Sequence, residues 1–233
     1  MIGILGGMGT QASLDFCNKL VKLNKCKTDQ QYPLFVLYNK SNIPNRTENI
    51  HKYKKVLKSL LAGCKFLEKS KCKFIVIPCN TAHYWYDDLQ KKTKIPIINM
   101  PREVYAHSIK SCKKNSKVGL LATEGTLKTG VYNKFFDKNF KLINPSKSVQ
   151  KNNVNKAIKL VKMGKIKDAE KAIRPAVNSL IKMKCNKIIL GCTELPIAIF
   201  AFKSFRKLKK SKTFLDPNLI LAHSSMERYK VNK

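Results

Sequence analysis

Arginine is scarce in this sequence, five residues (Arg46, Arg102, Arg174, Arg206, Arg228) against 42 lysines. Acids are scarce as well, 14 against 47 Lys and Arg, which leaves a formal net charge of +33. The lysines are scattered over nearly every segment with a helical pattern. Together with abundant asparagine they fit an AT-rich coding bias better than a nucleic-acid surface, and no specific nucleic-acid partner is expected. Only Lys203, Arg206, Lys207, Lys209, Lys210 and Lys212 gather into a basic cluster. It reads as a solvated helix end that sticks to anions at low salt. The chain lacks a CxxC pair and any Cys/His cluster with zinc spacing, so no metal site is expected. No basic and apolar leader precedes the first strand pattern, and no apolar run approaches membrane-spanning length, so neither export nor a membrane partner is expected. The eight cysteines (Cys17, Cys26, Cys64, Cys72, Cys79, Cys112, Cys185, Cys192) then read as reduced thiols of a cytoplasmic protein. No lysine sits in a context that suggests a Schiff base, so a pyridoxal cofactor is not indicated.

Present is enough apolar material for real cores: 233 residues, 43% hydrophobic. Apolar strand patterns at 2–6, 34–38, 74–78, 97–99, 117–122 and 187–191, with a weaker one at 141–143, alternate with amphipathic stretches. Helices are expected over 10–23, 47–68, 84–91, 101–113, 126–137, 149–163, 166–183 and 222–229, with Pro175 a kink or boundary in the seventh. That alternation predicts parallel α/β layers. A weak internal repeat predicts two lobes. Gly3 to Thr10 echoes Val118 to Thr126, and the strand ending at Cys79 echoes the strand ending at Cys192. The spacings agree: 192 − 79 = 113 for the cysteines and 126 − 10 = 116 for the small-residue turns. The expected limits are 1–99 with 213–233 for the lobe carrying Cys79, and 100–212 for the lobe carrying Cys192.

The two cysteines are the chemical centre of the reading. Each ends an apolar strand where a helix is expected to open, and Cys192 is followed at once by Thr193, Cys79 by Asn80 and Thr81. A helix N-terminus offers unpaired N–H groups and a positive dipole end, which favour thiolate. Two such thiols in two halves of one chain suit proton transfer to and from opposite sides of a carbon. The remaining six cysteines fit the role of small buried hydrophobes.

The first glycine loop satisfies G-x-G-x-x-A at Gly7, Gly9 and Ala12, and Asp29 follows at about the right distance for a dinucleotide site. Asp29 precedes the second strand rather than ending it, so a small anion such as a carboxylate fits the loop's N–H groups better. Arg46 follows the second strand in a chain that otherwise uses lysine. It is either a bidentate carboxylate binder or a surface arginine at a helix start. His83 is either a base or a packed side chain. Glu194 either orients a thiol or starts a helix.

The stretches Gly3-Ile4-Leu5-Gly6-Gly7-Met8-Gly9, Ile43-Pro44-Asn45-Arg46-Thr47, Pro78-Cys79-Asn80-Thr81-Ala82-His83, Ala122-Thr123-Glu124-Gly125-Thr126 and Gly191-Cys192-Thr193-Glu194 occur in this order. Together they resemble the aspartate/glutamate racemase superfamily, and in particular its aspartate racemase branch. Glutamate racemases typically have His where this chain has Glu194. The resemblance implies two Rossmann-like lobes with parallel sheets related by a pseudo-twofold, an active site in the cleft between them, and a homodimer. It implies cofactor-independent racemisation of an amino dicarboxylate. By motif, Cys79 and Cys192 are the two bases. Asn80, Thr81, Thr126 and Thr193 hold the α-carboxylate and amino group. Arg46 binds the distal carboxylate with help from Lys162, Met8 lines the pocket, and Glu194 supports Cys192. Thr10 stands where the family commonly has Pro, and Asn45 where it has Asp, which puts the aim of Arg46 in question.

The expected reaction is L-aspartate to D-aspartate by two-base proton transfer, each thiol serving one enantiomer. The alternatives are glutamate or dual specificity, a single-cysteine isomerase or decarboxylase of the same superfamily, a dinucleotide enzyme, and a basic anion- or nucleic-acid-binding protein.

Overall fold

Residues Ile2–Gly6 are buried at every position, as the inner strand of a parallel sheet with helices on both faces must be. This strand, β1, opens the computed structural model, which describes residues 1–24, 26–201 and 203–231. After it come α1 (Thr10–Leu23), β2 (Phe35–Asn39), α2 (Tyr53–Lys69) and β3 (Phe74–Val76). A 3₁₀ turn over Thr81–Trp85 leads into α3 (Tyr86–Lys92), then β4 (Ile97–Ile98) and α4 (Met100–Ser111). The four strands pair in parallel in the order β2-β1-β3-β4. Alternate strand residues serve opposite faces. Ile2, Ile4, Phe74 and Val76 pack with Phe16 and Leu20 of α1, while Leu5, Ile75 and Ile77 pack with Leu60 and Leu67 of α2.

The plan then repeats. β5 (Lys117–Ala122), α5 (Glu124–Thr129), α6 (Asn133–Phe136), β6 (Lys141–Ile143) and α7 (Lys147–Val149) run into a π-helical segment, Gln150–Asn155. α8 (Lys156–Lys162), α9 (Ile166–Lys182), β7 (Lys187–Gly191), α10 (Leu195–Phe200), α11 (Arg206–Lys210) and β8 (Phe214–Leu215) follow. These strands too are all parallel, in the order β6-β5-β7-β8. The last helix, α12 (Pro217–Val231), packs Leu221 and Ala222 against Ile2 and Ile4.

The chain divides into two compact units, Met1–Glu103 with the chain from Asn218 onward, and Val104–Pro217. The boundary differs from the sequence expectation at both crossings. α4 runs unbroken through the first of them. Residues 213–217 belong to the second unit because β8 pairs with β7, Ile188 opposite Phe214 and Ile189 opposite Leu215. Residues 232 and 233, assigned by sequence to the first lobe, lie outside the described residues.

Three further expectations are corrected. The second helix begins at Tyr53 rather than 47, because the Asn45 side chain accepts the N–H groups of Thr47 (3.0 Å) and Glu48 (3.4 Å) and turns the chain there. The helix expected over 126–137 is two helices, separated at Gly130 with φ 60°. Pro175 neither ends nor bounds α9. It lies on the exposed side, as does Lys171, whose carbonyl loses its helical donor to a proline but faces water. The buried row Ala169, Ile173, Ala176, Val177 and Leu180 carries the helix through.

Candidate active site

In each sheet the strand order reverses direction beside the first strand, between β1 and β3 and between β5 and β7. Loops at the carboxyl ends of such neighbouring strands diverge to opposite faces and leave a crevice, the usual ligand site of an open parallel sheet. The loops after β1, β3 and β7 carry Met8, Cys79 and Cys192, and Thr126 stands in the first turn of α5, which follows β5. The residues singled out by motif therefore cluster at the equivalent edge of each unit.

In the first unit Cys79, Asn80 and Thr81 are 6%, 2% and 5% exposed. Asn80 is the residue before the 3₁₀ turn that leads into α3. The Cys79 Sγ has no hydrogen-bond partner among the described residues. Its carbonyl lies 2.9 Å from Nδ1 of His83, whose Nε2 accepts the N–H of Met100 at 3.1 Å. Burial lowers the His83 pKa to about 4, so the ring is neutral at neutral pH. With both nitrogens engaged by backbone, the reading of His83 as a base is corrected.

The glycine loop also departs from expectation. Gly7 has φ 87°, and a Cβ there would sit 2.4 Å from the Lys40 backbone, so only glycine fits. Its N–H donates to Ser13 Oγ at 3.1 Å, and that hydroxyl donates in turn to the Gly9 carbonyl at 2.8 Å. The Gly7 amide is thus already satisfied from within α1 rather than left for an anion. The loop's contribution is to Arg46. Its Nη2 donates to the Met8 carbonyl at 2.6 Å and its Nη1 to the Pro44 carbonyl at 3.3 Å. The Nε is buried with no acceptor, and no carboxylate pairs with the guanidinium among the described residues. Asn45 holds this loop through the Thr47 and Glu48 amides and donates from Nδ2 to the Glu48 carboxylate at 2.7 Å, so the Asn at this position does not leave the loop untied.

In the second unit three of the expected residues meet around the carboxylate of a fourth, Glu194. The Cys192 thiol donates to Glu194 Oε2 at 3.0 Å, and the Thr193 hydroxyl donates to the same oxygen at 3.3 Å. Lys162 Nζ, at the end of α8, lies 3.9 Å from the other oxygen. Glu194 is 3% exposed and stands immediately before α10 without a side-chain cap there, its carboxylate being turned to Cys192 and Thr193 instead. Burial first, and the Glu194 carboxylate second, push the Cys192 thiol well above the ordinary cysteine range. The expectation that a helix N-terminus makes this thiol acidic is not met: burial and then the Glu194 carboxylate hold it protonated. Thr126 is buried, its N–H accepted by Thr123 Oγ1 at 3.1 Å and its hydroxyl 3.0 Å from that oxygen. β5 and β7 are neighbours, with Ala122 opposite Gly191, which brings Thr126 to the same edge as Cys192.

Two residues here escaped the sequence reading. Gln150 donates from Nε2 to the Ala122 carbonyl at 2.9 Å and to Asn155 at 2.8 Å, and Asn155 donates to Glu124 at 2.7 Å. This chain of amides fixes the end of β5. Tyr132 is fully buried, and its phenol is pushed well up by burial, Asp216 and Cys192. Neither has a motif signal. The basic cluster is exposed along α11, with Lys209 Nζ 5.0 Å from the Phe200 ring centre. Among the described residues there is no metal-binding group of His, Cys, Asp and Glu, and no helix long and apolar enough to cross a membrane.

The class of protein to which this fold and these strand-end residues belong is given by the comparisons with known proteins. Residues 5–224 match the Asp/Glu/Hydantoin racemase family. The chain belongs to that family; it is an isomerase of the PLP-independent amino-acid racemase type, and an amino acid is its substrate. The broad specificity amino-acid racemase RacX of Bacillus subtilis (strain 168) is 26% identical over 233 residues, 98% of each chain. A glutamate racemase of Lysinibacillus sphaericus (strain C3-41) is 32% identical over 136 residues, 57% of this chain and 49% of that one. Among solved structures, the Picrophilus torridus aspartate racemase matches with a TM-score of 0.84 and 30% identity, over 98% of this chain and 94% of that one.

Proposed function

We propose that this protein is an aspartate racemase that works through two thiols, Cys79 and Cys192. The observation that carries the reading is the equivalence of their positions. Two sheets of the same strand order, β2-β1-β3-β4 and β6-β5-β7-β8, each bear a cysteine just beyond the third strand in that order. A substrate α-carbon needs one group to take its proton and one to return a proton to the opposite face. In the direction described here Cys192 carries the proton to be given, held by Glu194, and Cys79 acts as the base. Cys79 removes the α-proton of one enantiomer, and the S–H of Cys192 supplies a proton to the other face. The enzyme is left with Cys79 protonated and Cys192 ionised, ready for the reverse substrate. Glu194, Thr193 and Lys162 govern the cost of that ionised state, with Lys162 opposing the charge of Glu194.

An amino dicarboxylate is favoured by Arg46. A partly buried guanidinium anchored by two carbonyls, with Nε buried and no paired carboxylate among the described residues, matches a distal carboxylate. The identity to an aspartate racemase over nearly the whole chain favours aspartate within that class. Asn80, Thr81, Thr126 and Thr193 are assigned to the α-carboxylate and amino group, and Met8 to the pocket wall. The eight cysteines are all free, which suits a reducing, cytoplasmic setting, and a homodimer belongs to the same reading. A second reading, broad amino-acid specificity, is favoured by the full-length likeness to RacX. Initial rates of α-proton exchange on L-aspartate, L-glutamate and L-alanine separate the two. The aspartate reading expects aspartate to lead by at least about tenfold in kcat/KM; equal rates would support the broad one.

A further inference from the structure

We propose that His83 is a positioning residue for Cys79, its neutral imidazole tying the Cys79 carbonyl to the first amide of α4 and so setting the direction of the thiol. The inference rests on the reading above, in which Cys79 transfers a proton.

The tautomer follows from the partners. The Met100 N–H, 3.1 Å from Nε2, can only donate, so Nε2 presents its lone pair. The ring proton then sits on Nδ1 and points at the Cys79 carbonyl, 2.9 Å away, which can only accept. In this form both nitrogens are satisfied by backbone, and a side chain 6% exposed has nothing left to offer a substrate. The Ile98 carbonyl, 3.4 Å from Nε2, would accept a proton from the charged ring or from the Nε2–H tautomer, and the latter would turn a lone pair of Nδ1 on the Cys79 carbonyl. Charging the ring would also deprive Met100 of its acceptor, and burial opposes that change.

The bridge is well placed to matter. Cys79 lies beyond the end of β3, and Met100 just beyond β4, strands paired through Ile75 with Ile97 and Val76 with Ile98. Met100 opens α4, whose next free amide, that of Arg102, is capped by Asn99 Oδ1 at 3.1 Å. The Cys79 N–H is turned back onto the Ile77 carbonyl at 2.7 Å, and the His83 N–H onto the Asn80 carbonyl at 3.1 Å. The Cys79 carbonyl is therefore gripped by the imidazole, fixing the peptide plane between Cys79 and Asn80. Both residues of that peptide belong to the proposed site, where an error of about 1 Å costs on the order of 100-fold in rate.

Three variants separate the two bonds. In His83→Asn the side-chain amide can still donate to the Cys79 carbonyl but cannot reach Met100. In His83→Gln the longer side chain can accept from Met100 while leaving the Cys79 carbonyl alone. His83→Ala loses both. The expected result is a fall in kcat of about 10- to 100-fold for Ala and Gln, KM within about threefold, and substantial recovery of kcat in Asn. Thermal melting of each variant identifies any that fail to fold. In the wild-type protein, ¹⁵N NMR of the ring is expected to report protonated Nδ1 and bare Nε2 from pH 6 to 8. The other tautomer, a ring that titrates near neutrality, or a folded Asn variant as slow as Ala would overturn the proposal. A wild-type enzyme that exchanges no α-proton on aspartate or glutamate would instead overturn the racemase reading, leaving the tautomer to be judged by NMR.

Discussion

Cys192 donates its thiol hydrogen to the Glu194 carboxylate across 3.0 Å, inside a site where both side chains are nearly sealed from water. That pair makes the two cysteines unequal, because Cys79 has no such acceptor. It also fixes a sign. Replacing the carboxylate by an amide removes the negative charge that opposes ionisation, so the Cys192 pKa falls in Glu194→Gln. Thiolate absorbance during a pH titration, with Cys79→Ala as background, is expected to rise at lower pH in the Gln variant. Unchanged titration would mean that burial alone holds the thiol.

Arg46 offers a sharper test of substrate than of chemistry. Its guanidinium is oriented by the carbonyls of Met8 and Pro44, a geometry that a lysine ammonium cannot reproduce. Arg46→Lys is expected to lose about 100-fold in kcat/KM on aspartate, roughly 2.7 kcal/mol. The cysteine chemistry should survive, seen as residual α-proton exchange at high substrate concentration. Unaltered aspartate kinetics would remove Arg46 from the site.

The buried imidazole of His83 links stability to pH. Its folded pKa, about 4, lies below the ordinary 6.5, so protons bind the unfolded chain more tightly. The stabilisation is complete above about pH 6.5 and is lost as pH falls toward and through 4, to a total of roughly 3 kcal/mol. Urea unfolding at pH 7, 5.5 and 4.5 should show this decline, and His83→Asn should flatten that share of it. Parallel curves for the two proteins would contradict the linkage.

Much of this fold is legible in the residues, for reasons that also explain the gaps. Strands such as Ile2–Gly6 and Lys187–Gly191 are apolar because helices cover both faces, and a continuous run is easy to see. β8 is two residues long and has no period to read. Helix starts were harder, since the side chain of Asn45 diverts the amides that would have begun a helix at 47. In the site, types and order of residues are visible, but polar partnerships are not. Glu194 reaches back to Cys192 only because the chain turns between β7 and α10, and His83 meets Met100 only because β3 and β4 are neighbours.

The central claim is that two thiols exchange the α-proton of aspartate, and one measurement addresses it directly. L-aspartate is incubated with the protein in deuterated water without added cofactor, and with Cys79→Ala and Cys192→Ala in parallel. Chiral chromatography with mass spectrometry follows the product. The account predicts D-aspartate carrying one α-deuterium from the wild-type protein and no racemisation from either variant. A wild-type protein that leaves aspartate unlabelled, or a single-cysteine variant that racemises at the wild-type rate, would contradict it.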